Sequence, residues 1–170
     1  CHDMQTCCED LLNRGVAFLA GDAETLAFPE DTELITSCST LQWFENPEHF
    51  FHRCTNYLSR NGYFAFTTFG QKNMEEIRST TGHGLTYRSL RDLKASLAPM
   101  YDIIYAEEEV LPRTFTNPLQ VLYHLKETGV TGTGKHHWTR RELNRFCEDY
   151  PRQSGNNRSV TLTYHPIYII

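Results

Sequence analysis

Apolar positions along this chain fall alternately at helical spacing and in short runs. Met4, Cys7, Cys8, Leu11 and Leu12 recur at three and four residues, and Asn13-Arg14-Gly15 supplies a stop, so the first element reads as a helix. Val16–Ala20 is a short apolar run ending at Gly21-Asp22 and reads as a strand. A polar loop, Gly21–Asp31, is broken at Pro29, and Glu33–Ser37 is a second strand. Asn46-Pro47-Glu48 opens a helix with proline in its first turn. Its apolar face runs through Phe50, Phe51, Cys54, Tyr57 and Leu58, and Arg60-Asn61-Gly62 ends it. Tyr63–Phe69 alternates aromatics with threonines, the mark of a strand.

Beyond it, Asn73–Thr80 and Ser89–Leu97 read as helices around the turn Thr81-Gly-His-Gly84. Tyr101–Leu111 reads as a strand with Glu107-Glu108-Glu109 at an exposed or edge end. Asn117–Thr128 and Thr139–Tyr150 are helices, and Ser159–Ile170 is a long closing strand. Helices alternating with strands over short connections predict an α/β domain with parallel strands and crossover helices. No repeat and no linker divides residues 1–170, so one domain is expected, with the helices near 71–100 and 112–138 inserted as a cap.

Composition narrows the partners. The 170 residues are 39% hydrophobic and 22% charged with net charge −5, a globular profile that argues against nucleic acid as main partner. No apolar run approaches the roughly 20 residues of a membrane span. The expectation is a soluble, cytoplasmic protein. Its six cysteines lack a C-x-x-C pair, and Cys7-Cys8 are adjacent, so free thiols are expected in place of disulfides or a metal site.

Candidate chemistry follows from strand ends. In parallel α/β sheets a ligand sits outside the carboxyl ends of the strands. Asp22, past the first strand, and Ser37 with Cys38, ending the second, are placed for that, and Trp43-Phe44 follow as a candidate wall. Against this, aspartate readily caps its own turn, and buried aromatics usually serve the core.

Four stretches carry a resemblance: Ala20-Gly-Asp-Ala-Glu24, Ser37–Trp43 (SCSTLQW), Asn61–Phe69 (NGYFAFTTF) and Leu162–Tyr168 (LTYHPIY), with Leu122–Gly129 (LYHLKETG) as a fifth. The chain resembles the class I S-adenosylmethionine-dependent methyltransferases, and among them the malonyl-[acyl-carrier protein] O-methyltransferases of biotin synthesis. The resemblance implies a Rossmann-like sheet of seven strands with a helical cap. It implies S-adenosylmethionine as cofactor, held by Asp22 and Ala23 on the adenine side and by Ser37 and Cys38 near its amine. It implies a malonyl thioester on acyl carrier protein as acceptor, with Trp43, His124, Lys126, Tyr164 and His165 as the residues that would meet it. No residue is assigned a catalytic role, because a carboxylate with a pKa near ~4 needs no base to attack a methyl group. No E-x-G-x-G-x-G occurs in these residues, so the family's first strand and glycine-rich loop are expected upstream of Cys1 and the sheet incomplete at that end. An exposed sheet edge, if left, would favour a dimer.

Rivals are weaker. Gly129–Lys135 nearly spells a phosphate loop, but His136 stands where Ser or Thr must hold magnesium and a helix precedes it. Cys1-His2, Cys7-Cys8 and His136-His137 fit no tetrahedral metal spacing. Lys135–Arg141 with Arg145 is a basic cluster able to steer an acidic carrier, or simply the start of a helix capped by Thr139 with Glu142. Methyl transfer to another small acid, or a non-catalytic methyltransferase-like domain, completes the alternatives.

Overall fold

A computed structural model describes residues 15–17, 19–129, 138–151 and 159–170. The expected helix over Met4–Arg14, Cys1, Cys7, Cys8 and the stretch Lys135–His137 lie outside them. Two parallel strands begin the sheet. β1 (Thr32–Cys38) lies beside β2 (Leu58–Phe69), and α1 (Pro47–Tyr57) crosses over between them. The helix starts where expected: the Asn46 side chain accepts the His49 N–H at 3.0 Å, and Pro47 opens its first turn. Its buried face is Phe50, Phe51 and Cys54.

The helix does not run on to Arg60-Asn61-Gly62. It stops at Tyr57, and β2 begins at Leu58. Thr32 stands opposite Leu58 but Leu34 opposite Tyr63, so the extra residues are taken up as an irregularity inside the strand. Gly62 belongs there because a Cβ would lie 2.8 Å from the Thr32 carbonyl oxygen.

The run Val16–Ala20 forms no strand among the described residues. Val16 is 46% and Leu19 56% exposed, and neither pairs with β1. A short apolar run becomes a strand only where another backbone satisfies its N–H and C=O groups, and none among the described residues does so.

After β2 come α2 (Glu75–Thr81) and α3 (Leu90–Leu97), then β3 (Ala106–Glu108), β4 (Leu111–Phe115), α4 (Pro118–Glu127), α5 (Arg140–Asp149), β5 (Val160–Tyr164) and β6 (Pro166–Ile169). The main sheet has the order β1-β2-β6-β3, with β6 antiparallel to both neighbours, and β4 pairs with β5 in a second, two-stranded sheet. The Glu107–Glu108 end of β3 is at the sheet edge, as expected. The two long strands read from sequence are each divided. They nonetheless face each other in one continuous antiparallel register: Glu108 stands opposite Ile167, and Leu111 opposite Tyr164. At Glu109-Val110 and at His165 the ribbon turns from one sheet into the other.

Two apolar clusters result. Ile35, Phe64, Phe66, Ile167 and Ile169 of the main sheet pack on Phe50, Phe51 and Cys54 of α1 and on Leu93 and Leu97 of α3. The ring of Phe51 stacks on Phe66 with centroids 5.7 Å apart. Burial in this cluster pushes the Cys54 thiol up to about 12, despite the nearby Arg53. The second cluster joins Val121, Leu125, Phe146, Tyr150, Val160, Leu162 and Met74. It holds the β4–β5 sheet as well as helices, where 112–138 reads as helical from sequence alone.

Candidate functional site

Parallel pairing sets the carboxyl ends of β1 and β2 side by side, Cys38 opposite Thr67. Past β1 the backbone turns through Ser39 at φ 52°. Its N–H donates to the Thr67 carbonyl at 2.9 Å and lies 3.1 Å from that residue's hydroxyl. The turn then enters a short 3-10 helix, Leu41–Trp43, with Leu41 buried. The Thr68 hydroxyl donates to the Gln42 amide oxygen at 3.3 Å, which ties this turn back to β2. A cavity of about 80 Å³ lies between them, lined by Gln42, Phe44, Phe51, Thr68, Phe69 and Tyr87 among others. Trp43 is turned outward, 47% exposed, while Leu41, Gln42 and Phe44 face the cavity. Ser37 is half-buried and Cys38 exposed.

The loop carrying Asp22 is built from its own backbone. The Asp22 carboxylate accepts the Glu24 N–H at 2.9 Å, and its carbonyl accepts the N–H groups of Thr25 at 3.0 Å and Leu26 at 2.7 Å. Glu24 then reaches the other end of the site. Its carboxylate accepts the N–H groups of Glu45 and Asn46, both at 2.9 Å, just before α1. Arg53 closes the clamp from α1, donating to the carbonyls of Ala23 at 3.4 Å, Leu26 at 2.8 Å and Glu24. The Asp22–Ala23 loop and the Trp43–Phe44 turn are thereby brought together. Neither Glu24 nor Arg53 is evident as a site residue from sequence. The one available signal is that Arg53 sits between Phe50 and Tyr57 on the apolar face of α1, where its guanidinium lies 5.9 Å from the Tyr57 ring centre.

On the other flank, His124 Nε2 and the Tyr164 hydroxyl lie 2.8 Å apart. Phe115 closes on the His124 ring at 5.3 Å between centroids. Burial pushes the Tyr164 phenol above its ordinary range, and the Arg113 guanidinium draws it partly back. The phenol therefore keeps its proton for hydrogen bonding. Phe69, which ends β2, comes within 6.5 Å of Tyr164 and 6.4 Å of Tyr87, ring to ring. Lys126 is exposed on α4.

His165 is fully engaged. Its Nδ1 accepts the Lys72 N–H at 3.1 Å, which leaves the proton on Nε2 to donate to Glu108 at 3.0 Å. Its carbonyl accepts the Gly70 N–H at 2.7 Å and its N–H donates to the Asn73 amide oxygen at 3.2 Å. The structure thus brings His124 and Tyr164 together, and sets His165 at the turn between the two sheets. Arg140, Arg141 and Arg145 of the basic cluster lie on or beside α5, where the Thr139–Glu142 capping box is present and Arg145 pairs with Asp149 at 3.3 Å.

Among the described residues, no group of three His, Cys, Asp or Glu side chains is placed to hold a metal, and no helix is long and apolar enough to cross a membrane.

The family described as methyltransferase domain matches residues 1–66. A curated malonyl-[acyl-carrier protein] O-methyltransferase of Bacteroides thetaiotaomicron is 55% identical over 181 residues, covering 100% of this chain and 69% of that protein. Its counterpart in Bacteroides fragilis is 59% identical over 171 residues, again covering 100% of this chain but 35% of that protein. The chain thus spans from about a third to about two thirds of the length of these curated relatives. Among solved structures, a Bacillus halodurans protein described as a candidate methyltransferase superposes with TM-score 0.62 at 13% identity, over 92% of this chain and 76% of that one. At that identity the likeness gives the fold alone, a Rossmann-like α/β arrangement.

Proposed function

The chain belongs to the family of malonyl-[acyl-carrier protein] O-methyltransferases, and on that premise we propose that the whole protein moves a methyl group from S-adenosylmethionine onto the free carboxylate of a malonyl thioester borne by acyl carrier protein. The observation that carries this reading is the 55% identity over the whole chain to a relative two thirds spanned by it. The acceptors of the Asp22 loop and of the β1 end suit the N–H groups of the cofactor's adenine and amine. They are the exposed carboxylate of Asp22 and, at the end of β1, the carbonyls and hydroxyl of Ser37 and Cys38. Bound there, S-adenosylmethionine supplies an electrophilic methyl group on a sulfonium.

The chain's residues do the rest by placement. Asp22 and Ala23 hold the adenine, Ser37 and Cys38 meet the cofactor's amine, and the Glu24–Arg53 clamp fixes their loop. His124 and Tyr164 orient the acceptor, with Trp43 and Lys126 on the outer rim, while His165 sets the turn that carries Tyr164. A carboxylate oxygen forms the new C–O bond as the methyl group's bond to sulfur breaks. The two charges cancel and no proton moves, so no base is called for. Holding the reactants in line is worth up to about 7–11 kcal/mol.

In this reading the four strands of the main sheet are one flank of a seven-stranded methyltransferase sheet. The cap expected near 71–100 and 112–138 becomes α2, α4 and the β4–β5 sheet, joined by α5 through Phe146, while α3 packs on the main sheet through Leu93 and Leu97; the setting is cytoplasmic. The edge of β1 turned away from β2 is where a further strand or a second copy would add. Full-length protein incubated with S-adenosylmethionine and malonyl-loaded carrier is expected to give the malonyl methyl ester, read by mass spectrometry. Transfer to a different small acid with none to the carrier-bound malonyl group would overturn the acceptor.

A further inference from the structure

We propose that Arg78 binds the carboxylate of the methyl acceptor, in a cavity that takes a short acyl chain ending in a free acid. The inference rests on the acceptor reading above and assigns it a residue outside the group His124, Lys126, Tyr164 and His165.

The cavity measures about 380 Å³, within the range of small-molecule sites, and is lined by Gln71, Arg78, His83, Leu85, Thr86 and Tyr87 with two glycines. It opens beside the segment that leaves the carboxyl end of β2. Thr86 and Tyr87 also line the smaller cavity at Gln42 and Thr68, so the two share a wall. An acceptor lodged in the larger cavity therefore lies next to the strand ends.

Arg78 is the cation of that cavity, and it is available. Arg145 pairs with Asp149, Arg53 is spent on three carbonyls, and Arg88, which pairs with Glu48 and keeps its Nη1 unpartnered, lines the smaller cavity and not this one. Arg78, among the described residues, donates to the Gln71 carbonyl and packs over the Tyr87 ring, 5.4 Å from its centre, with no carboxylate against it. One of its amino groups is thus occupied, and the guanidinium keeps further donors for a ligand.

The side chain is also held in place before any ligand arrives. The Tyr87 hydroxyl accepts the Asn73 amide N–H at 3.0 Å, and Asn73 is 1% exposed. Gly84 lets the arginine stem pass, since a Cβ there would collide with Arg78 Cγ. A positioned guanidinium recognises a carboxylate by charge-assisted hydrogen bonds and stays charged throughout. Contact with one oxygen leaves the other to take the methyl group. The ester product has lost its charge, so the same residue favours substrate over product.

Affinity is measured on full-length protein for carrier loaded with malonyl and for carrier loaded with its methyl ester, with ester formation followed in parallel. Wild type is expected to prefer the free acid. Arg78→Met is expected to weaken binding of the malonyl form about 10- to 100-fold, the scale of lost hydrogen bonds to a charged group, with the ester form and S-adenosylmethionine unaffected. Arg78→Lys recovers part of the preference. Gly84→Ala keeps the charge but displaces it, and is expected to lose the preference too. A methionine variant that still prefers the free acid, in a protein whose wild type makes the ester, sinks the Arg78 assignment alone. So does equal loss of both carrier forms and of S-adenosylmethionine, which would mark a structural role. No ester from wild type sinks the acceptor reading and this inference with it.

Discussion

Gly70 has no room for a side chain. A Cβ there would stand 2.6 Å from Cε1 and 2.7 Å from Nδ1 of the His165 ring. That ring cannot step aside without giving up Lys72 and Glu108, both of which it bonds. Gly70→Ala is therefore expected to cost about 1–3 kcal/mol, as overpacking a fixed site does. A urea midpoint lowered without change of slope checks it, and an unmoved midpoint would mean that the latch yields. At this scale the sequence says little. His165 stands beside Pro166 as a structural or a binding residue, and what decides between them is Lys72 and Glu108, 93 and 57 positions away. Asp22 is the opposite case, because its cap to Glu24 spans two residues and is the ordinary behaviour of aspartate in a turn. Its carboxylate stays exposed while doing so, and the two readings of Asp22 are thus compatible.

Helix starts were readable because their chemistry is local. Asn46, Ser89, Asn117 and Thr139 each accept the backbone N–H three residues on, at 3.0, 3.1, 3.1 and 3.3 Å, and each stands where the sequence pattern predicts a helix to begin. α2 is the exception. Asn73 looks like its cap, but that side chain is committed to Tyr87 and His165, and the helix begins one residue past Met74, itself at φ 52°. Strand limits were harder to read, because pairing with distant backbone decides them. Val16–Ala20 lacks a partner among the described residues, and the ribbon of β3–β4 against β5–β6 is divided by its contacts with two sheets. The loop Gly21–Asp31 depends on an element too, since Arg53 of α1 holds three of its carbonyls. Arg53→Met is expected to leave α1 intact and free that loop, raising the dissociation constant for S-adenosylmethionine about tenfold or more, the loss of at least one hydrogen bond to a charged group. Calorimetric titration of the full-length protein measures it. An unchanged constant would remove Asp22 and Ala23 from the cofactor site.

Over the whole molecule, the two apolar clusters meet across a narrow neck. The chain passes between the sheets at Glu109-Val110 and at His165, side by side in one register. Besides the ribbon, Phe69 at the end of β2 lies 6.5 Å from Tyr164, ring to ring, and the N–H groups of Gly70 and Lys72 just past it donate to His165; Met74 N–H donates to the Thr163 carbonyl at 2.7 Å, and Glu76 accepts the Thr163 N–H at 2.9 Å and its hydroxyl at 2.6 Å. The bonds of Met74 and Glu76 tie α2 to β5, and only the contacts of Phe69, Gly70 and Lys72 reach back to the end of β2. Parts of a protein joined by few contacts open separately and at lower cost than the whole. The sheet β4–β5 with α4 and α5 should therefore form one opening unit, and the main sheet another. Leu162→Ala, at a fully buried position of the cap cluster, removes about 2–5 kcal/mol of packing. By hydrogen exchange, the amides of Thr161 and Thr163 are expected to speed up by most of that free energy, while those of Phe64 and Phe66 change little. Equal acceleration in both sheets would mean a single cooperative unit, with the neck transmitting stability in full. The first outcome also bears on turnover, because His124 and Tyr164 belong to the cap and the strand-end residues Ser37 and Cys38 to the main sheet. On the proposed function, a site divided across two opening units can admit a carrier-borne acyl chain by parting at the neck, with no rearrangement of Asp22, Ala23, Ser37 or Cys38.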